Sequence, residues 1–224
     1  MKAGIIAEGK SDMAVITNIL KGKLGIDKSD IAYLVPELEK DETDLAIMRP
    51  EQFSSWSIVK AKCEAGNVVR DFMDIIDDGR FLVIHIDSAE RNDYGVENLT
   101  KNTIDDLILI RNTVKSKIEE WLGENRRERI AYAIAVEETD AWVMTKYAQN
   151  RDDTGMLNNP KERLASKIIQ TESPKAQKQL RNLDFFDRYG HYSYEFRKNR
   201  NLSVFIENNN SLKQFCDELE TLRS

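Results

Sequence analysis

Three short apolar segments of this chain each run into a carboxylate, and that recurrence constrains its fold more than any other feature. Residues 2–7 lead to Glu8, residues 81–86 lead to Asp87, and residues 130–136 lead to Glu137. Apolar runs this short, rich in Ile, Val and Ala, read as strands covered on both faces, the pattern of a parallel sheet packed between helices. In an open α/β sheet, ligands bind outside the carboxyl ends of the strands. The three acids are therefore expected at one edge. Gathered there they repel one another unless a cation neutralises them, and a cluster of hard oxygen ligands suits Mg²⁺ or Mn²⁺.

Helical patterns fill the gaps between the strands. A helix is expected from Ser11 to Lys23, with Ser11 as N-cap and Met13, Val15, Ile16, Ile19 and Leu20 as its apolar stripe. Residues 31–35 and 45–48 read as short strands around an acidic turn at 37–44. Residues 57–76 read as helical with a break near Gly66, 100–122 as a long helix stopped by Gly123, and 137–147 as another helix. From Asn150 onward the texture changes. Loop-like stretches alternate with short helices at 161–170 and 174–183, a strand or loop at 202–206 and a terminal helix at 211–222. The 224 residues, 41% hydrophobic, suffice for one sizeable core. The fold class is α/β: a mostly parallel central sheet flanked by helices over residues 1–150, with a helical C-terminal extension, 151–224, packed on the same domain.

Several functions are disfavoured. No apolar run approaches the roughly 18 residues of a membrane helix. The apolar start is too short for a signal peptide and turns acidic at once, so a cytoplasmic location is expected. Cys63 and Cys216 lie far apart without zinc-ligand spacing and read as reduced thiols. The net charge of −6 argues against a passive nucleic-acid coat. It is compatible with an enzyme that pairs an acidic metal site with local basic patches, for which Arg126-Arg127-Glu128-Arg129 and the stretch Arg188 to Arg200 are candidates. Glu8-Gly9-Lys10-Ser11 lacks the spacing of a phosphate-binding Walker loop, and no GxSxG nucleophile motif is present.

The strand ending in Glu8-Gly9, followed by Ser11-Asp12, resembles the opening motif of the TOPRIM superfamily, which includes topoisomerases, bacterial primases and the overcoming-lysogenization-defect nucleases. The superfamily's second motif is a strand ending in Asp-x-Asp. Here Asp87 matches the first aspartate, Ser88 and Ala89 follow it, and Glu90 stands one residue beyond the second position. The segment Ile134-Ala-Val-Glu-Glu-Thr-Asp-Ala-Trp142 resembles a signature of small stand-alone TOPRIM-like proteins often encoded beside ATPases in bacterial anti-phage systems. The tail segments 159–164 and 210–215 are similar to that group in the same order.

The resemblance implies a metal-dependent nuclease acting on DNA or RNA, an ATPase partner and a role in defence. Glu8, Asp87 and Glu137 would be catalytic. Glu8, Asp87, Glu137, Asp140, Asp12 and Glu90 would be the metal ligands, and Lys10, Arg197, Lys198 and Arg200 the phosphate contacts. The alternative is a non-catalytic module that binds an ATPase subunit or a phage component. The residues also carry plainer readings. Glu137, Glu138 and Asp140 begin a helix, where acids are favoured by roughly 0.3–1 kcal/mol each. His85 alternates with Asp87, so both point to one face of the strand, and it reads as a buried, hydrogen-bonded histidine. His191 lies in Arg188-Tyr-Gly-His-Tyr-Ser-Tyr194, where basic and aromatic residues interleave as they do where bases stack, or else form a packed loop.

Overall fold

The computed structural model describes residues 1–36, 56–75, 79–97, 99–148 and 153–223. The strand expected at 45–48 and the acidic turn at 37–44 lie outside them. Among the described residues four parallel strands form the sheet: β1 (Lys2–Ile6), β2 (Ile31–Val35), β3 (Arg80–Asp87) and β4 (Ile130–Ala135), in the order β2-β1-β3-β4. Helix α1 (Lys10–Leu24) joins β1 to β2. Helices α2 (Trp56–Ala65) and α3 (Asn67–Met73) precede β3, and α4 (Ile104–Leu122) precedes β4. After β4 come α5 (Thr139–Met144), α6 (Pro160–Thr171), α7 (Pro174–Arg181), α8 (Phe185–Tyr192), α9 (Asn199–Phe205) and α10 (Asn210–Thr221). No helix among the described residues is long and apolar enough to cross a membrane.

Alternation along the strands sorts the core into two layers. On one face Ala3, Ile5, Phe81, Val83, Ala131 and Ala133 pack against α1 and the C-terminal helices, including Ile16, Ile19, Phe196, Leu212 and Phe215. On the other, Ile6, Leu82, Ile84, Tyr132 and Ile134 pack against α2, α3 and α4, through Val59, Phe72, Val114 and Ile118. The C-terminal helices thus share a core with the sheet. Their approach to α1 is close: a Cβ at Gly22 would stand 1.9 Å from the Phe196 carbonyl oxygen.

Local chemistry explains the boundaries. The expected helix over 57–76 is two helices, because Gly66 adopts φ +66 between them, and a Cβ there would collide with the Asn125 side chain at 2.0–2.3 Å. Thr103 and Asp106 form a reciprocal capping box that starts α4. Residues 202–206 are largely helical rather than strand or loop: Leu202 and Ile206, four apart, face the core while Val204 is exposed. The segment around His191 is helical too, with the Asp184 carboxylate capping α8 through the Asp187 N–H at 2.8 Å.

The outer edge of β4 is closed by α10 through side chains. Glu218 accepts the Tyr132 N–H at 2.8 Å, and Ser211 Oγ accepts the Val136 N–H at 3.4 Å. Arg111, buried beneath, donates to the Tyr132 carbonyl at 3.2 Å and to Glu218 at 2.8 Å, and Lys115 adds a second cation to Glu218 at 2.8 Å. A strand edge that would otherwise offer unpaired backbone groups is thereby blocked.

Candidate metal centre

From β1 the chain passes outward to β2 and then returns to the opposite side for β3. The β1/β3 boundary is therefore the switch point of the sheet, where open α/β folds form their ligand crevice. Glu8 follows β1 and Asp87 ends β3. The Asp87 N–H donates to Glu8 Oε1 at 3.0 Å, so the two strand tips are tied together by one of the acids itself. His85 and Asp87 continue the Phe81 and Val83 face and point toward α1, whose first turn carries Asp12. One ligand atom from each of Asp12, His85 and Asp87 lies within 4.8 Å of the other two, a separation a single ion can span.

The groups around this triad hold its geometry. Asp87 Oδ1 accepts the Thr139 N–H at 3.0 Å and the Thr139 hydroxyl at 3.2 Å, which ties the end of β3 to the start of α5. His85 Nε2 is 2.9 Å from the same hydroxyl and 3.3 Å from Asp87 Oδ1. The ring is fully buried, stands edge-on to Trp142, and its Nδ1 has no partner among the described residues. Asp140 is also buried and accepts the Tyr189 hydroxyl at 2.8 Å. Trp142 stacks on Phe215 and donates to Ser211 Oγ at 2.8 Å. The Asp-Ala-Trp run thus anchors two C-terminal helices to the edge of the site.

The electrostatics are those of crowded anions. Burial, then the charges of Asp87 and Asp12, push the Glu8 carboxyl well above the usual carboxylate range. Burial and Asp12 raise Asp87 likewise, against the opposing pull of His85. Asp140 is pushed up to about 6 by burial, with Glu138 and Asp12 adding to it. Burial by itself would keep His85 neutral, but Asp12, Asp87 and Glu8 outweigh it and lift the imidazole to about 9. The imidazolium and, at Asp140, Lys161 offset these acids only in part, and Glu8, Asp87 and Asp140 hold their protons more tightly in consequence. The site favours positive charge beyond what the described residues supply.

Of the residues expected from sequence, Asp12 and Asp87 share the triad, with Glu8 beside them and Asp140 close enough for its charge to be felt at both aspartates. Glu137 is engaged elsewhere: Arg91 lies 3.5 Å and Lys101 3.3 Å from its carboxylate. Its backbone is left-handed, φ +67, and is clamped by Ser88, whose hydroxyl accepts the Glu137 N–H at 2.8 Å. A non-glycine residue there carries about 1–2 kcal/mol of strain. Glu90 is exposed, and Lys10 is half-buried at the first position of α1. Arg197, Lys198 and Arg200 are exposed. Arg197 follows the Phe196 carbonyl that packs on Gly22, ten residues beyond Asp12, or roughly 15 Å along α1. The basic run and the acid cluster therefore sit toward opposite ends of one helix.

His85 is the member of this cluster that sequence reasoning did not place among the candidate ligands. Its signal was present, since a histidine two residues before a strand-terminal aspartate shares that residue's face. The roles of Thr139, Tyr189, Arg91 and Lys101 carry no comparable local signal. Comparison with protein-family models, curated proteins and solved structures finds no match to this chain.

Proposed function

We propose that the chain is a divalent-metal-dependent phosphodiesterase that cleaves nucleic acid, as the TOPRIM-like motifs imply. The observation that carries this reading is the convergence of Asp12, His85 and Asp87 within 4.8 Å at the sheet's switch point, with Glu8 hydrogen-bonded across it. Asp12, His85 and Asp87 would hold the ion, which when bound supplies Lewis-acid activation of water and of the phosphoryl oxygen. A mixed imidazole–carboxylate set is softer than an all-oxygen cage, so Mn²⁺ suits it better than Mg²⁺. Glu8, with its raised carboxyl, is placed to hold or pass a proton beside Asp87. Lys10, the first residue of α1, would contact the phosphate. Thr139 and Trp142 orient Asp87 and His85.

Because His85 must lose its proton to act as a ligand, metal binding should release protons and tighten with pH. Titration calorimetry in two buffers of different ionisation enthalpy reads this directly. Cleavage of single- and double-stranded DNA and RNA should require the ion, and Glu8→Gln should abolish it without unfolding the chain. Binding with no proton release, or cleavage that survives both chelator and Glu8→Gln, would sink the proposal.

A second reading has one observation in its favour. The acid that follows β4, Glu137, is already neutralised by Arg91 and Lys101, and Ala89 stands where the second aspartate of the motif would be. A module that binds an ATPase subunit or a phage component through this edge would show metal binding without cleavage of any nucleic acid in that partner's presence. The ATPase partner, the defence role and the choice between DNA and RNA belong to the same proposals.

A further inference from the structure

At the other end of α1 the chain carries a cleft that the metal reading does not use. It lies between α1 and α8, has a volume of about 270 Å³, and is bordered by Asn18, Lys21, Lys28, Phe186, Tyr194 and Arg197. Its lining is largely basic and aromatic. The chain has six more acids than bases, yet Lys28 and Arg197 form no ion pair among the described residues. Each lies over an aromatic ring instead: Lys28 Nζ is 4.7 Å from the centroid of Phe186, and the Arg197 guanidinium is 5.3 Å from that of Tyr194. Lys21 is shared with Asp27 at 2.6 Å. Tyr194 is half-exposed, and Lys198 Nζ also lies over its ring, 5.9 Å from the centroid, as a mobile cation that a flat base could displace.

The floor is polar. Asn18 is buried and spends its amide N–H groups on the Gly190 carbonyl at 2.9 Å and Ser193 Oγ at 2.8 Å. Its Oδ1 receives no donor among the described residues, which leaves an acceptor at the base of the cleft. One carboxylate, Asp187, is also in the wall. With Asp27 on Lys21, the local balance leaves room for a single phosphate rather than a polyphosphate. The volume lies just below the roughly 300 Å³ at which small-ligand pockets begin, room for one flat base and its phosphate.

We propose that this cleft binds a singly phosphorylated aromatic ligand, a nucleotide, with the phosphate at Lys28 and Arg197, the base stacked against Tyr194, and a base N–H received by Asn18. The same chemistry is offered by a free mononucleotide and by one nucleotide of a single strand. Stacking platforms beside a positive groove are how sequence-tolerant strand binding is built. The inference does not depend on the metal centre, which lies toward the other end of α1.

The test is titration calorimetry on the full chain in EDTA, which removes any ion from the acid cluster, with adenosine monophosphate, adenosine, inorganic phosphate and a 5′-phosphorylated thymidine hexamer as probes. Adenosine monophosphate should bind one to one, with adenosine and phosphate each at least about ten-fold weaker, because each lacks half of the recognised chemistry. Lys28→Gln and Arg197→Gln should each weaken binding roughly ten-fold and flatten its salt dependence, and Tyr194→Leu should weaken it about ten-fold by loss of stacking. All three side chains are exposed, and unchanged thermal melting confirms folding of the variants. A hexamer that binds tighter than the mononucleotide, with a steeper salt slope, identifies a strand as the source, and equal affinity identifies the free nucleotide. Failure of both to bind, phosphate binding as tightly as the mononucleotide, or variants that bind like wild type would overturn the proposal.

Discussion

Replacing Asp87 by asparagine should stabilise the metal-free protein at pH 8 and do so much less at pH 5, which lies only a little above the unfolded carboxyl's pKa. Asparagine keeps an oxygen to accept the Thr139 N–H, so the tie between β3 and α5 survives. What is removed is a negative charge held against Asp12 and Asp140 in a buried setting. The sign follows from linkage. A carboxyl raised above its unfolded value contributes stability that is fully present below the unfolded pKa and is lost as pH climbs through the folded one. Glu8 and His85 are raised as well, so the metal-free chain as a whole should weaken between about pH 4 and pH 9. Asp87 is pushed up to about 7. At about 1.4 kcal/mol per pH unit its ionised form costs the fold ~4 kcal/mol at most. Glu8, Asp12 and Asp140 keep repelling one another after the substitution, and His85 loses one of its anions, so ~1–3 kcal/mol is the expected gain at pH 8. For a chain of this length that is roughly 2–12 °C in melting temperature. The assay is denaturant unfolding in EDTA at pH 5 and pH 8, repeated with millimolar Mn²⁺. Wild type should gain stability from Mn²⁺ at pH 8 by mass action, and the variant should not. A variant less stable than wild type at pH 8, or equally stabilised at both pH values, would show that Asp87 serves the fold as an anion and that the repulsion argument is wrong.

Other perturbations separate the site from the scaffold. Glu218→Ala should cost about 3–5 kcal/mol, because it strands the buried Arg111 charge and frees the Tyr132 N–H at the sheet edge; a denaturation midpoint that barely moves would refute this. Tyr189→Phe removes a donor that favours ionised Asp140, so its carboxyl should rise further above about 6. That variant should be near-neutral below pH 4.5 and destabilised by about 1 kcal/mol at pH 8, and equal destabilisation at both would count against a charge-assisted bond. His85→Gln should weaken Mn²⁺ binding more than Mg²⁺ binding in parallel titrations, since it exchanges an imidazole for a harder oxygen; an unchanged preference would exclude His85 from the ligand set.

Much of the scaffold was legible in the sequence because its signals are local. Short apolar runs with acids at their tips read as parallel strands, and β1, β3 and β4 form where those runs lie. Glu8, Asp12 and Asp87 could be named as neighbours because strand tips and the following helix start must share one edge of an open sheet. The period-2 alternation of β3 placed His85 on the face of Asp87, although only the crossing of α1 over that face makes the two a triad with Asp12. The acid after β4 shows where local reasoning stops. Glu137 sits at a strand tip like the others, but its left-handed backbone and the cations Arg91 and Lys101, 46 and 36 residues earlier in the chain, take its carboxylate into ion pairs of its own. Asp140 likewise finds Tyr189 across 49 residues, and the cleft at the far end of α1 is assembled from helices almost as distant from one another in the chain as its length allows. A carboxylate's position along a strand is a property of the segment. Its partner is a property of whichever side chains the packed helices deliver, and that was decided only when the two layers closed on the sheet.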